Sequence, residues 1–337
     1  QLGQADARGI VKTFDLQRKG GAWQQQADGT WKYQYTNGSY AVNTWVTDNK
    51  KQYWIDANGT MVTGVCAVEG KVYHFDSSGV LQTTAGWKQL NGNWYYFTKS
   101  GAAQTGWVKS GGKWYYQDPA SGVMKTGWVD VSGKKYFLNS SGAMRGSGWF
   151  KQDAGWYWIT GSGAAATGWA KVKGKWYYLG TGVMQTGKTA IGEETYLLDS
   201  KTGAMKTGWI KESGKWYYYK PSGAMYVGTL TWVKNGYYLF GFDGAMITGM
   251  YDVNKDKYYF DKSSGKMKTG WVKDSGKWYY FNNWGIMQKS KWVGNYYVGS
   301  DGVMATNTWI GKYHVNSSGK WDATRKSAPT TKSTSSS

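Results

Sequence analysis

The sequence repeats itself about every 20 residues, and this periodicity restricts the chain to a few kinds of fold. The dipeptide Gly-Trp marks the repeat, and from Trp87 to Trp169 the marking tryptophans are spaced by 20, 21, 21 and 20 residues. The marked tryptophans are Trp87, Trp107, Trp128, Trp149, Trp169, Trp209 and Trp271. A unit of this length cannot bury its apolar face alone, so neighbouring units must stack on one another.

Methionine keeps the same register as tryptophan. Ten of the eleven methionines lie two residues after a glycine, and the eleventh, Met250, stands where the Gly-Trp tryptophan would be. The ten are Met61, Met124, Met144, Met184, Met205, Met225, Met246, Met267, Met287 and Met304. Composition alone would not place methionine in this way. We expect these side chains to pack inside the repeat array.

Each unit has the pattern of a β-hairpin. Residues 107–127 carry Trp-Val-Lys, a turn containing glycine, and then Trp-Tyr-Tyr. Aromatic and β-branched residues on both sides of a turn predict two antiparallel strands. Alternation along the second strand puts Trp114 and Tyr116 on one face and Tyr115 on the other. Because a single hairpin is marginal in water, we predict an all-β solenoid of stacked β-hairpins, with about fifteen units of about 20 residues.

Three segments are expected. Residues 1–22 form a lead-in segment with no clear unit, residues 23–321 form the hairpin-repeat solenoid, and residues 322–337 form a linker or tail rich in Ser, Thr and Lys. The sequence begins without the basic and apolar segments of a secretory signal, and we expect a processed or excised piece of a longer protein. It contains no apolar run of the length that a transmembrane helix needs, so we expect no membrane insertion.

Composition narrows the classes of function. The 23 Trp and 28 Tyr residues argue against disorder. The net charge of +20 comes from lysines spread through the repeats and not clustered on one element. Spread charge suits a long polyanion that lies along the stack, whereas a nucleic-acid site would need a basic cluster. A single cysteine and two histidines leave no disulfide and no expected metal site. Because no nucleophile elbow, phosphate loop or converging carboxylate pair is present, we expect no catalytic residues and no cofactor.

The unit Gly-Trp, Trp-Tyr-Tyr and Gly-x-Met-x-Thr-Gly resembles the choline-binding, or cell-wall-binding, repeat of Gram-positive surface proteins and phage endolysins. The resemblance covers roughly residues 45–309. It implies hairpins stacked as a left-handed β-solenoid, with choline groups of teichoic acid held between successive hairpins by aromatic rings and a methionine such as Met124 or Met225. The glucan-binding repeats of secreted glucosyltransferases are related, but they tend to carry Tyr-Tyr-Phe without the second tryptophan.

An aromatic cage suits choline for a physical reason. A quaternary ammonium donates no hydrogen bond and is held by π faces, each contributing about 0.5–2 kcal/mol. Two tryptophans seven residues apart supply two walls, and they form the pairs Trp87/Trp94, Trp107/Trp114, Trp149/Trp156, Trp169/Trp176, Trp209/Trp216 and Trp271/Trp278. A third wall must come from the next unit. Strand parity suggests the second tyrosine there, which gives Tyr116 for the first pair, Tyr178 for the third, Tyr238 for the fifth and Tyr297 for the last.

Three units depart from this pattern. Lys135 replaces the second tryptophan after Trp128, Lys188 and Thr195 replace both, and Met250 and Lys257 replace both in another unit. We expect these units to form no choline cage.

The sequence therefore predicts a secreted, wall-associated and non-catalytic binding module for choline-decorated teichoic acid, with any catalytic domain outside this segment. Two alternatives remain open. One is binding of an α-glucan or another wall polysaccharide by stacking of Trp and Tyr, and the other is a structural adhesin stalk. No nucleic-acid partner is expected, and the sequence leaves the oligomeric state open.

Overall fold

The computed structural model describes residues 2–5, 11–14 and 20–326. Over these ranges the chain forms β-strands and no helix. The strands are β1 (Leu2–Ala5), β2 (Val11–Phe14), β3 (Gly21–Gln25), β4 (Trp31–Tyr35), β5 (Thr44–Asp48), β6 (Lys51–Ile55), β7 (Gly64–Val68), β8 (Lys71–Phe75), β9 (Gly86–Leu90), β10 (Asn93–Phe97), β11 (Gly106–Ser110), β12 (Lys113–Gln117), β13 (Gly127–Val131), β14 (Lys134–Leu138), β15 (Gly148–Gln152), β16 (Gly155–Ile159), β17 (Trp169–Val172), β18 (Lys175–Tyr178), β19 (Gly187–Ile191), β20 (Glu194–Leu198), β21 (Gly208–Glu212), β22 (Lys215–Tyr219), β23 (Thr229–Val233), β24 (Gly236–Phe240), β25 (Gly249–Val253), β26 (Asp256–Phe260), β27 (Gly270–Asp274), β28 (Lys277–Phe281), β29 (Lys291–Val293), β30 (Tyr296–Val298), β31 (Thr308–Ile310) and β32 (Tyr313–Val315).

Each odd-numbered strand pairs with the strand that follows it, and the described residues contain sixteen such antiparallel hairpins. Fifteen of them lie between Gly21 and Val315, which confirms the predicted stack of about fifteen units. The remaining hairpin, β1–β2, lies in the predicted lead-in of residues 1–22, where the sequence pattern indicated no unit. Of the predicted tail, residues 327–337 lie outside the described residues.

Two-residue turns fix the register of the hairpins. In β11–β12, Ser110 pairs with Lys113, so Gly111 and Gly112 form the turn with φ of 54° and 76°. Positive φ at both central residues is the requirement of a type I′ turn, whose twist matches that of paired strands. The same register pairs Trp107 with Tyr116, so the predicted sharing of one face by Trp114 and Tyr116 is confirmed.

The hairpins divide into two compact units, Gln1–Thr167 with Thr181–Val183, and Gly168–Gly180 with Met184–Ser337. Within each unit, a backbone hydrogen bond links a methionine to the hairpin before its own. Met124 N–H donates to the Trp94 carbonyl at 2.8 Å, and Met246 N–H donates to the Trp216 carbonyl at 2.7 Å. Each methionine is therefore held beside the second tryptophan of the preceding repeat.

A fully buried side chain stands at the end of the second strand of most hairpins. Fully buried examples in this position are Phe75, Leu138, Ile159, Leu198, Tyr219, Phe240, Phe260, Phe281, Val298 and Val315. Most are aliphatic or phenylalanine, residue types that the sequence uses sparingly. Within each compact unit the core is thus distributed over the hairpins, together with buried first-strand residues such as Val108 and Val233, as expected for a repeat protein.

Turns after the second strand are held by carboxylate or amide side chains. The Asp118 carboxylate accepts the Ser121 backbone N–H at 2.8 Å and lies 3.1 Å from Lys125 Nζ. The hydrogen bond from the Ser121 backbone, followed by that from Lys125, lowers the pKa of Asp118. Backbone hydrogen bonds from Ser264 and Ser263 likewise lower the pKa of Asp261 to about 2. Both carboxylates are therefore ionised at neutral pH.

Gly223→Ala is expected to destabilise the stack more than Gly214→Ala. Both glycines have positive φ, 90° and 79°, where an alanine costs about 1–2 kcal/mol. A Cβ at Gly214 would meet open space, whereas a Cβ at Gly223 would collide with the side chain of Met205. Displacing a packed side chain adds about 1–3 kcal/mol. Thermal unfolding followed by circular dichroism would measure the difference, and equal shifts of the midpoint would refute the packing role of Met205.

Candidate functional site

The two tryptophans of each complete pair differ in exposure. The first is half-buried in every pair, as at Trp209 and Trp271. The second is between 39 and 41% exposed in all six pairs, at Trp94, Trp114, Trp156, Trp176, Trp216 and Trp278. A purely structural tryptophan would gain by complete burial, and six equal exposures point instead to a shared surface feature.

One of these features is an open cavity of about 340 Å³. Its lining includes Trp209, Trp216, Tyr238, Met246 and residues 263–264. The Trp209 and Trp216 ring centroids are 6.5 Å apart with planes at 85°, and Tyr238 lies 4.8 Å from Trp209. Burial raises the pKa of Tyr238, so its hydroxyl is neutral and donates to Asn235 Oδ1 at 3.2 Å. Three aromatic faces and a methionine thus surround one solvent-accessible space.

The same set of residue types recurs at two other cavities. One, of about 260 Å³, is lined by Trp87, Trp94, Tyr115, Met124 and Ser141. The other, of about 280 Å³, is lined by Trp107, Trp114, Tyr136, Met144 and Ser162. We call this arrangement of two tryptophans, one tyrosine, one methionine and a serine a cage.

Each cage draws on three consecutive repeats. In the cavity of Trp107 and Trp114, the tryptophans belong to hairpin β11–β12, and Tyr136 belongs to the next hairpin, β13–β14. Met144 follows that second hairpin, and Ser162 follows the third, β15–β16. The hydrogen bond from Met144 N–H to the Trp114 carbonyl, at 2.7 Å, holds the methionine in place.

The predicted third wall of the first pair is wrong by one residue. Tyr115 lies 4.8 Å from Trp87, whereas the predicted Tyr116 lies 5.0 Å from Trp107 in its own hairpin. The prediction correctly placed Tyr116 on the same face as its own tryptophans. In a stack, however, the tryptophan face of one hairpin packs against the other face of the next hairpin. That other face carries the first tyrosine of Trp-Tyr-Tyr, such as Tyr115, and not the second.

The same error affects the last pair. Tyr296 lies 5.5 Å from Trp271, whereas the predicted Tyr297 lies 5.3 Å from Trp292 in its own hairpin. At the fifth pair the predicted Tyr238 does line the cavity, because Tyr237 stands in the place of the second tryptophan and the second tyrosine therefore falls one position earlier.

The third and fourth pairs complete the predicted set. Trp149 lies 5.2 Å from Trp158 in its own hairpin. The predicted wall Tyr178 lies 5.1 Å from Trp169, also within one hairpin. Trp169 itself lies 6.5 Å from Trp176 and 4.9 Å from Tyr196 of the next hairpin. The fourth pair therefore has the same tyrosine wall as the cages described above.

Lysines stand beside the exposed tryptophans. The ammonium groups of Lys109, Lys171 and Lys211 lie 5.7, 5.8 and 5.8 Å from the ring centres of Trp114, Trp176 and Trp216. Each lysine is the direct cross-strand partner of its tryptophan. A positive group thus accompanies each of these three aromatic walls.

One of the two units that lack both tryptophans supplies its own cation. Lys188 Nζ lies 3.8 Å from the centre of the Tyr217 ring and 2.9 Å from Glu212 Oε2. Tyr217 occupies the position that forms the third wall in the cages. This unit was predicted to form no cage, and the lysine side chain in fact covers its tyrosine wall.

A further aromatic cavity, of about 330 Å³, was missed by the sequence reasoning. Trp292, Tyr313 and Trp321 line it, with Asn295 in the place of the second tryptophan. Trp321 occupies the methionine position, and its backbone N–H donates to the Asn295 carbonyl at 2.7 Å. The spacing of Trp321 two residues after Gly319 was the available signal.

Neither a metal site nor a membrane-spanning helix is found in the described part of the chain. Among residues 2–5, 11–14 and 20–326, no group of three or more His, Cys, Asp and Glu side chains could hold a metal ion. Over the same described part of the chain, no helix is long and apolar enough to cross a membrane.

Comparison with known proteins identifies the repeats. Profiles described as choline-binding repeat match residues 83–126, 166–207, 186–230 and 286–321. A profile described as putative cell wall binding repeat matches residues 43–61, 126–144 and 269–287. Together these matches cover more than half of the chain.

Two glucosyltransferases and a choline binding protein are similar to this chain. Glucosyltransferase-I of Streptococcus downei is 32% identical over 108 residues, 30% of this chain and 7% of the enzyme. Glucosyltransferase-S of the same organism is 28% identical over 103 residues, 29% of this chain and 8% of the enzyme. The chain thus matches only a small part of these curated relatives. Choline binding protein F of Streptococcus pneumoniae aligns with 26% identity and a TM-score of 0.42, over 90% of this chain and 99% of that protein. On the profile matches, the chain belongs to the choline-binding, or cell-wall-binding, repeat family.

Proposed function

We propose that the chain is a non-catalytic module that attaches a secreted protein to the cell wall by binding choline groups of teichoic acid in its cages. The observation that carries this proposal is the equal half-exposure of six second tryptophans, each beside a half-buried first one. The residues assigned to binding are the six tryptophan pairs, with Tyr115, Tyr136, Tyr196, Tyr238 and Tyr296 as third walls.

The chemistry of the lining favours a quaternary ammonium. None of the residues lining the three cavities of the Trp87, Trp107 and Trp209 cages is Asp or Glu. A cation must therefore be held by π faces alone. A primary ammonium would lose hydrogen bonds to water in such a space, whereas a quaternary ammonium has none to lose. At Lys188 a cation rests on the equivalent tyrosine wall, where the Glu212 carboxylate also pairs with it.

The lysines suit the polymer that carries choline. Choline on teichoic acid is accompanied by phosphate, and Lys109, Lys171 and Lys211 place ammonium groups beside three second tryptophans. The net charge of +20 is then matched to the polyanionic backbone. Repeated weak sites on one polymer also bind with avidity, so modest affinity per cage is sufficient.

A glucan is the second candidate ligand. Both curated relatives are glucosyltransferases, and tryptophan and tyrosine faces also stack on sugar rings. A wall polysaccharide would use the same exposed rings without needing a cation.

Chromatography on a resin bearing quaternary amines distinguishes the two candidates. The chain carries a charge of +20, so simple electrostatics would repel it from this resin. We expect it to be retained and then eluted by millimolar choline, but not by ethanolamine at the same concentration. Passage through the amine resin with retention on dextran would replace choline by glucan as the ligand.

A further inference from the structure

The largest of the five cavities described here lies at a repeat that forms no cage. It measures about 490 Å³, against about 260–340 Å³ for the other four, and lies wholly within the first compact unit. This size falls within the usual range of about 300–1,000 Å³ for small-molecule sites. We propose that it is a saccharide site, which binds a pyranose ring that carries an anionic group.

Two cage walls are replaced at this position. Lys135 stands where the second tryptophan would be, and Ala165 stands where the methionine would be. The frame is unchanged, because Ala165 N–H donates to the Lys135 carbonyl at 2.8 Å, as Met144 N–H does to Trp114. The two substitutions come from different repeats and widen the same cavity, so they act on one site.

The remaining walls provide an aromatic surface. Trp128 and Tyr157 both line the cavity, with ring centroids 4.7 Å apart and planes at 45°. They correspond to the first tryptophan and the third wall of a cage. An aromatic face of this kind packs against the apolar C–H face of a sugar ring, while the sugar hydroxyls point to polar groups.

Polar groups line the rest of the cavity. The lining residues with polar side chains are Thr160, Ser162, Thr167, Thr181, Lys134, Lys135 and Asp130. None of the cage cavities is lined by lysine. Hydroxyls and ammonium groups together donate hydrogen bonds to sugar oxygens and to an anionic substituent.

Lys135 is available to a ligand. Its cross-strand neighbour is Asp130, whose carboxylate instead accepts the Gly133 N–H at 3.1 Å. Within residues 2–5, 11–14 and 20–326, Lys135 makes no ion pair. The equivalent Lys257 differs, because its ammonium lies 2.9 Å from Asp252 Oδ1. With two lysines and one aspartate in its lining, the cavity keeps one net positive charge, which disfavours choline and favours an anion.

Saturation-transfer NMR with a matched pair of probes tests the site. Glucuronic acid and glucose share one ring and differ by a carboxylate in place of a hydroxymethyl group. We expect glucuronic acid to bind the full chain more tightly than glucose, and Lys135→Gln to weaken its binding about tenfold or more, as for loss of a charged hydrogen bond. Lys257→Gln, at the equivalent but ion-paired position, should leave the binding unchanged.

A second variant tests the site by restoring the cage. Lys135→Trp combined with Ala165→Met should abolish glucuronic acid binding and add one choline site, measured by equilibrium dialysis. Choline retention by the remaining cages controls for folding in every variant. Equal binding of the two probes, or equal loss in Lys135→Gln and Lys257→Gln, would overturn the proposal and leave choline binding unaffected.

Discussion

Replacement of all six second tryptophans by alanine is expected to abolish retention on the quaternary-amine resin while the hairpin stack stays folded. Each of these side chains is 39 to 41% exposed, so each has only part of its surface in the core. Trp94, Trp114 and Trp216 nevertheless each form one wall of a cage, and the other three occupy the equivalent position in their repeats. The variant would carry alanine at positions 94, 114, 156, 176, 216 and 278.

The expected loss follows from the energy of a single wall. One aromatic face contributes about 0.5–2 kcal/mol to holding a cation, which corresponds to about 2- to 30-fold in affinity at one site. Because the sites act together on one polymer or resin, their losses combine in the avidity. A single change such as Trp216→Ala should therefore shift elution to lower choline, whereas the sixfold change should remove retention.

Trp284→Ala is the matched control for these variants. Trp284 is 79% exposed and lies outside the six cages, so it removes an exposed indole without removing a wall. We expect its elution to match that of the unchanged protein. Unchanged retention of the sixfold variant, or an equal loss in Trp284→Ala, would show that the cages do not bind the resin. Far-ultraviolet circular dichroism would report whether each variant is folded.

Trp209→Ala is expected to lower the free energy of unfolding by about 3 kcal/mol, the lower end of the range for a large buried aromatic side chain. Trp209 lies 5.1 Å from Tyr218, 4.8 Å from Tyr238 and 5.7 Å from Phe240. Its removal would leave a void between two hairpins, next to the buried Phe240. The loss therefore falls on packing between repeats.

Trp216→Ala is the comparison, since it removes the same side chain from the same cage. Trp216 is 39% exposed, and we expect it to cost about 1 kcal/mol or less. Urea unfolding followed by circular dichroism would measure both variants. If the two substitutions cost the same, the division into a packing tryptophan and a ligand-facing tryptophan would be refuted.

Much of the fold follows from the sequence because the same residue pattern recurs in about fifteen units. Turn residues such as Gly111 and Gly112 indicated the hairpin, and alternation assigned the faces of Trp114 and Tyr116 correctly. These are local properties, which depend on spacing along a single strand or turn. The number of hairpins between Gly21 and Val315 followed in the same way.

The third wall could not be predicted from the sequence in the same way. Alternation states which residues share a face, but not which face the next hairpin presents, and so Tyr116 was chosen instead of Tyr115. The positions of Lys188 over Tyr217 and of Ala165 beside Lys135 depend on the same stacking geometry. Each such contact joins residues roughly 30 apart, and its partners become known only when the order of faces is known.

The division of each cage among three repeats affects how such an array tolerates change. Hairpin β13–β14 has Lys135 in place of a tryptophan and forms no cage, but its Tyr136 still completes the cage of Trp107 and Trp114. A repeat can therefore lose the second tryptophan of its own cage and still supply the tyrosine of the preceding cage. Duplication of such a unit would lengthen the array without interrupting the cage before it, and a diverged copy is then free to acquire a different ligand.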